Sequence, residues 1–180
     1  LLPEILRLND LQRGEGDSDN EEPERLIRGV MEGYGQWCII DSFRKYSDET
    51  AAMLDTLQNI VRAHGADCPK RADVVHFDFN TSNILIEDEQ ITGVIDWEGS
   101  ESGDCAFDLA TLLFYTYPHR DFRDRLWSEL LKRTPRGAAP VYLTHMIVRQ
   151  VDWSIRNHER PAVDYYLQLS RAVLNDIAAL

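Results

Sequence analysis

The sequence predicts a mainly α-helical protein that carries one small β-hairpin. Apolar residues recur at helical spacing through most of the chain, whereas short β-branched and aliphatic runs cluster only between Val74 and Asp96. Pro140 and Pro161 sit near the starts of two late periodic segments, where the fixed proline φ and missing N–H are tolerated.

Leu1, Leu2, Ile5, Leu6 and Leu8 give a helix over 1–11. The acidic, glycine-containing stretch from Gln12 to Glu24 reads as a solvated loop. Leu26, Ile27, Val30, Met31, Tyr34, Trp37 and Cys38 suggest a helix over about 24–43, although Gly29, Gly33 and Gly35 weaken it. A helix over 48–64 has a firmer basis: Ser47 or Asp48 can cap it, and Gly65 can end it. Its apolar face is Met53, Leu54, Leu57, Ile60 and Val61. Beyond the hairpin, Asp108-Leu-Ala-Thr-Leu-Leu-Phe-Tyr predicts a buried helix opened by an acid. Helices at about 120–133, 140–157 and 162–179 follow.

A chain of 180 residues, 43% hydrophobic and 28% charged, has the composition of a soluble globular domain or a large lobe of a longer protein. No run of about 18 apolar residues occurs, so no membrane contact is expected. The opening LLPEILRLND lacks a basic segment and a small-residue cleavage site, so it does not read as a signal peptide. Cys38, Cys68 and Cys105 are scattered and form no CxxC pair, which points to free thiols in a cytoplasmic protein. A net charge of −12 argues against a nucleic-acid partner and is compatible with a cationic small molecule.

The chemistry concentrates in VVHFDFNTSNILIEDEQITGVIDWEGSESGD, from Val74 to Asp104. Two apolar runs flank an acidic turn and read as a hairpin, about 84–86 pairing with 91–95. Asn83 opens the first strand and Asp96 closes the second. Antiparallel pairing makes them neighbours although they are thirteen positions apart. An amide carbonyl beside a carboxylate suits Mg2+, which takes one or two protein carboxylates and fills its shell with phosphate oxygens and water. Asp78, in the loop entering the hairpin, could accept the proton of a hydroxyl that attacks a phosphate.

HFDFNTSNILI followed by GVIDWEGSESGDCAFDLATLLFY resembles the catalytic segment of the aminoglycoside phosphotransferase family, within the protein-kinase-like superfamily. That family typically shows H-G-D-L-H-x-x-N, then I-D-W, then G-D and D-L-A. The resemblance implies a kinase-like C-terminal lobe spanning 1–180, with Asp78 as catalytic base and Asn83 and Asp96 as Mg2+ ligands. It implies that His76 braces the loop and that Asp108 bonds the loop backbone, a role compatible with capping its own helix. Phe77 stands where the family has glycine, and Asn80 where it has histidine. Protein kinases usually place lysine two residues after the base; Asn80 there favours a small-molecule acceptor over a protein.

The resemblance also shows what is missing. Kinases of this superfamily cover the ATP or GTP phosphates with a glycine-rich loop and a strand lysine. The three lysines, Lys45, Lys70 and Lys132, lie outside β-branched strands, and Gly14-Glu-Gly16 and Gly33-Tyr-Gly35 do not complete G-x-G-x-x-G. The expectation is a phosphotransferase acting on a small-molecule hydroxyl, with its nucleotide-covering N-terminal lobe outside this chain. Candidate acceptors include an aminoglycoside or other cationic antibiotic, choline, ethanolamine, a sugar or an amino-acid hydroxyl. Glu98, Glu101, Asp152, Glu159 and Asp164 are candidates to line the acceptor site, against a plain surface role for each. The alternatives are a non-catalytic kinase-like binding module and a metal-dependent hydrolase. Intact Asp78, Asn83 and Asp96 oppose the first; the lack of a histidine-rich cluster opposes the second.

Overall fold

A computed structural model of the chain describes residues 1–16, 19–35 and 37–180. Positions 17 and 18 of the expected acidic loop, and 36 of the expected second helix, lie outside the described residues. The structure is mostly helical with two small antiparallel sheets, and it divides into two compact units. The first comprises Leu1–Glu22 and Pro69–Pro135, the second Pro23–Cys68 and Arg136–Leu180.

The first unit holds helices α1 (Leu2–Leu11), α5 (Ala106–Thr116) and α6 (Arg120–Arg133). It also holds strands β1 (Asp73–Val75), β2 (Ile84–Glu87), β3 (Gln90–Val94) and β4 (Glu101–Gly103). Its core is α5, where Phe107, Leu109, Leu112, Leu113 and Phe114 are buried, together with Leu126 and Leu130 of α6. Helix α5 is buried nearly all round, as expected of a helix enclosed by its neighbours, and it takes the polar Asp108, Thr111 and Thr116 into the interior with it. β2 and β3 form the expected hairpin, with Ile84 opposite Val94 and a bulge between Leu85 and Ile86. The pairing of β1 with β4, Val75 opposite Glu101, was not foreseen; three-residue strands carry too little alternation to stand out.

The second unit contains α2 (Glu22–Met31, from Pro23 on), α3 (Ile40–Tyr46), α4 (Asp48–His64), α7 (Ala138–Asn157) and α8 (Arg160–Ala178). Helix α7 packs against α3, α4 and α8. Ser47 caps α4 in a reciprocal box with Thr50, each side chain bonding the other's backbone N–H.

The expected helix over 24–43 is instead two helices. Gly33 and Gly35 adopt φ of +81° and +61°, and Tyr34 N donates to Cys38 O at 3.0 Å. A side chain at Gly33 would also bring its Cβ within 2.8 Å of that carbonyl, so helical periodicity loses here to a turn that requires glycine. Gly29 stays within α2 for another reason: a Cβ there would lie 3.0 Å from the buried His145 ring. Gly14 serves a close approach too, since its Cβ would sit 2.1 Å from Ala72 O. Among the described residues no helix is long and apolar enough to cross a membrane.

Candidate active site

Strand β1 delivers the chain into a loop whose backbone is held from below by Asp108. His76 N donates to Asp108 Oδ2 at 2.8 Å and Phe77 N to Oδ1 at 3.0 Å. Asp108 lies in the first turn of α5 but does not cap it. Ala106 N, at the helix start, donates to Asp104 Oδ1 at 3.1 Å, while Asp104 Oδ2 accepts from Thr134 Oγ1 at 2.6 Å. The acid that opens the helix is therefore Asp104, and both Asp108 oxygens face the loop. Burial pushes the Asp108 carboxyl up to about 6, against the His76, Gln12 and Phe77 donors, which favour its ionised form.

Phe77 adopts φ +66°. That left-handed conformation explains a family preference for glycine at this position, since a Cβ there costs roughly 1–2 kcal/mol. The Phe77 ring lies 5.1 Å from that of Phe107, and this aromatic contact offsets part of the cost.

The fully buried His76 ring joins the two halves of the site. Asp78 N donates to Nδ1 at 3.2 Å, which puts the ring hydrogen on Nε2, and Nε2 donates to Ile95 O at 2.8 Å. One imidazole thus ties the Asp78 loop to the residue before Asp96. Trp97 packs on the ring at 4.5 Å between centroids, and its own Nε1 donates to Val94 O at 2.9 Å. The site use of this tryptophan went unnoticed in the sequence, though the I-D-W motif contained it.

Asn83 ends a short turn that begins at Asn80, whose side chain accepts from Ser82 N at 2.8 Å. Asn83 Nδ2 donates to Asp78 O at 2.9 Å and to Asp78 Oδ2 at 3.2 Å. Both partners are acceptors, so the amide orientation is fixed and Oδ1 faces away from Asp78. Ile95 N donates to Asn83 O at 3.0 Å, which brings Asn83 to the end of the hairpin where Asp96 stands. Asp96 is exposed and left-handed, with φ +67°. Asn83 Oδ1 and the Asp96 carboxylate are hard oxygen donors at one hairpin end, a set that fits Mg2+.

The other expected residues divide. Glu98 is exposed in the turn Trp97–Gly99, and Glu101 is exposed at the start of β4. Glu159 is exposed ahead of α8, and Asp164 pairs with Arg160 at 3.6 Å. Asp152 corrects both readings made of it, since it is neither on the surface nor available to a ligand. It is fully buried, accepts from Ile39 N at 3.0 Å and pairs with Arg156 at 2.8 Å. It also accepts from Ser42 Oγ.

Among the described residues Asp73, Asp104 and Cys105 form a second acidic cluster. Its oxygens are committed: Asp73 Oδ1 and Oδ2 accept from Gly14 N at 2.9 Å and Cys105 N at 3.1 Å. Burial holds the Cys105 thiol protonated, so this cluster is a structural joint.

A loop carrying Asp78, a hairpin with hard oxygen donors at its end and a buried helix beneath them define a kinase-like C-terminal lobe. The chain belongs to the phosphotransferase enzyme family, whose sequence model matches residues 18–145. Hygromycin-B 4-O-kinase of Escherichia coli is 39% identical over 49 residues, 27% of this chain and 14% of that protein. The fold is similar to a thermostable mutant of aminoglycoside phosphotransferase APH(4)-Ia without ligands: TM-score 0.64, 19% identity, 86% of this chain and 52% of that one. A ternary complex of the same enzyme with AMP-PNP and hygromycin B matches at TM-score 0.62 and 18% identity, over 83% of this chain and 50% of that one. The chain spans about half the length of these solved structures.

Proposed function

We propose that this chain is the acceptor- and metal-binding lobe of a nucleotide-dependent phosphotransferase acting on a hydroxyl of a small cationic molecule, an aminoglycoside foremost. The observation that carries this reading is the junction of Asp78 and Asn83 at the hairpin end that bears Asp96, braced through His76. Family membership and the hygromycin-B kinase relative support the acceptor class. The acidic balance, −12 overall, suits a polycationic acceptor.

Asp78 accepts the proton of the acceptor hydroxyl as that oxygen bonds to the γ-phosphorus. The bond from that phosphorus to the bridging oxygen breaks, and the nucleoside diphosphate leaves with the electron pair. Asn83 Oδ1 and Asp96 would hold Mg2+, which supplies charge neutralisation for the phosphates. Asn83 also orients Asp78, so base and ligand share one hydrogen-bond joint. His76 and Asp108 keep the loop in register; Glu98 and Glu101, both exposed, are candidates to attract the acceptor's ammonium groups. The donor is ATP or GTP, and AMP-PNP in the relative supports such a donor.

The nucleotide-covering lobe is contributed by chain beyond these 180 residues, in keeping with the half-length match. The isolated lobe accordingly binds nucleotide weakly and turns over little. Three buried free thiols fit a reducing, cytoplasmic setting.

The test is an acceptor panel with the full-length protein: hygromycin B, other aminoglycosides, choline, ethanolamine and simple sugars, read by mass spectrometry. One added phosphate on an aminoglycoside, lost in Asp78→Asn, supports the reading. Phosphate appearing only on a non-aminoglycoside acceptor would reject the aminoglycoside assignment.

A further inference from the structure

Beneath the loop lies a hydrogen-bond chain that neither the motif nor the family resemblance includes. Gln12, just past the end of α1, donates from Nε2 to Asp108 Oδ2 at 2.5 Å. The orientation of its amide is set by Asn9, a buried residue of α1. Asn9 Nδ2 donates to Gln12 Oε1 at 3.1 Å and to Cys105 O at 2.7 Å. With its oxygen so occupied, the Gln12 amide must present Nε2 to the acid. The Gln12 backbone is fixed as well: its carbonyl accepts from Val74 N at 2.8 Å, two residues before His76. One residue therefore grips both the strand that enters the loop and the carboxylate that holds the loop.

We infer that Gln12 is a positioning residue, which holds the Asp108 carboxylate against the His76 and Phe77 amides and thereby fixes the geometry of Asp78. The inference rests on the reading of Asp78 as the base. A carboxylate buried this deeply needs its lone pairs filled, and each donor favours the ionised form that binds two loop amides. Only three donors reach it among the described residues: His76 N, Phe77 N and Gln12 Nε2. Gln12 alone of these lies outside the loop, so it orients the acid independently of what the acid orients.

The charged surroundings of Asp108 are sparse. His76, from the loop, is the titratable group that acts on it electrostatically. Helix α1 and the residue that follows it contribute the neutral Asn9 and Gln12. On its own helix's approach, Asp104 is committed to Ala106 and Thr134; from β1, Asp73 is committed to Gly14 and Cys105. Changing Gln12 therefore alters a hydrogen bond to Asp108 without removing a charge.

Two measurements test this. In the 180-residue chain, the backbone amide resonances of His76 and Phe77 and the side-chain amide of Gln12 are followed against pH by NMR. The expected result is one shared midpoint for all three. In Gln12→Met, which keeps the length but lacks the donor, the His76 and Phe77 midpoint moves upward by about one pH unit. In the full-length enzyme the same variant loses kcat by about ten- to a hundredfold, with nucleotide KM little changed and the loss deepening toward acid pH. A Gln12 amide indifferent to the shared titration overturns the inference even if the variant does not fold. An unchanged kcat and pH profile in a folded Gln12→Met overturns it as well. Failure of the base reading is distinguishable: Asp78→Asn would keep its turnover while the three amides still titrate together.

Discussion

Asn83 and Asp78 are joined twice, one amide nitrogen donating to both the backbone oxygen and the carboxylate of the acid. The sequence reading treated metal ligand and base as separate. The joint couples them. Asn83→Asp keeps an oxygen for the metal but sets a carboxylate against Asp78 in place of the N–H donor. Turnover of the full-length enzyme should fall about tenfold or more, since a hydrogen bond to a charged group contributes roughly 1.5–3 kcal/mol. High Mg2+ should not restore it; full recovery in a Mg2+ titration would show the donor to be dispensable.

Asp78→Asn and Asp96→Asn should fail in different ways. The first leaves shape and nucleotide binding nearly intact but removes the proton acceptor, so kcat should drop ~10²–10⁴-fold. The second removes a charge at the hairpin end, so activity should fall and the Mg2+ requirement should rise. Steady-state rates at increasing Mg2+ separate them. Rescue of Asp78→Asn alone would reverse the assignment of base and ligand.

Asp108 should set an acid limb in the pH–rate profile near its raised value of about 6. Below that pH the protonated acid is a weaker acceptor for the His76 and Phe77 amides, so turnover should decline. Its stability effect has the opposite sign. Between the ordinary value of 3.8 and about 6 the folded chain binds the proton more tightly than the unfolded chain, so this group costs stability as pH rises through that window. Asp108→Asn should flatten both dependences, which rate profiles and urea titrations at several pH values can check.

His145 should make the second unit acid-sensitive. Burial lowers it from 6.5 to about 4, and its Nδ1 lies 3.2 Å from Leu26 O, so the ring is neutral in the folded chain. The unfolded chain binds the proton first as pH falls. The stability tied to the neutral ring is fully present above about 6.5 and is lost as pH drops through about 4. The total should be on the order of 3 kcal/mol. Comparing chemical denaturation of the wild type and His145→Gln across that window tests it; parallel curves would contradict it.

Gly14→Ala should destabilise the first unit, because the new Cβ would meet Ala72 O at 2.1 Å and push apart the junction that Gly14 N makes with Asp73. A loss of about 1–3 kcal/mol is expected, in the range of overpacking a tight site. Gly16→Ala is the control, since among the described residues nothing lies within 4 Å of its added Cβ, although φ +79° adds backbone strain. Equal melting temperatures for Gly14→Ala and wild type would contradict the close-approach reading.

Much of the candidate site was legible because its residues are local in sequence. Asp78, Asn83 and Asp96 lie within one loop and one hairpin, and antiparallel geometry alone makes Asn83 and Asp96 neighbours. The helices over 48–64 and 120–133 were equally legible, since amphipathic periodicity and, for the first, a cap are local signals. The helix expected over 24–43 failed where Gly33 and Gly35 take positive φ, and at Gly33 the close approach of Cys38 O adds a demand that local periodicity does not carry.

The sequence by itself determined the fold class and the hairpin, and it named the candidates for holding Mg2+ and accepting a proton. Tertiary structure decided which acids are spent on the fold and which remain for chemistry. Asp152 looked like a surface acid but is consumed by Ile39, Ser42 and Arg156; Asp108 holds the loop backbone as the resemblance implied, but leaves the helix start to Asp104. It also brought Gln12 to Asp108 across 96 positions. The physical reason is range. Helix and turn preferences act over a few residues, whereas the partner of a buried carboxylate is chosen by packing, because burial without donors is too costly to persist.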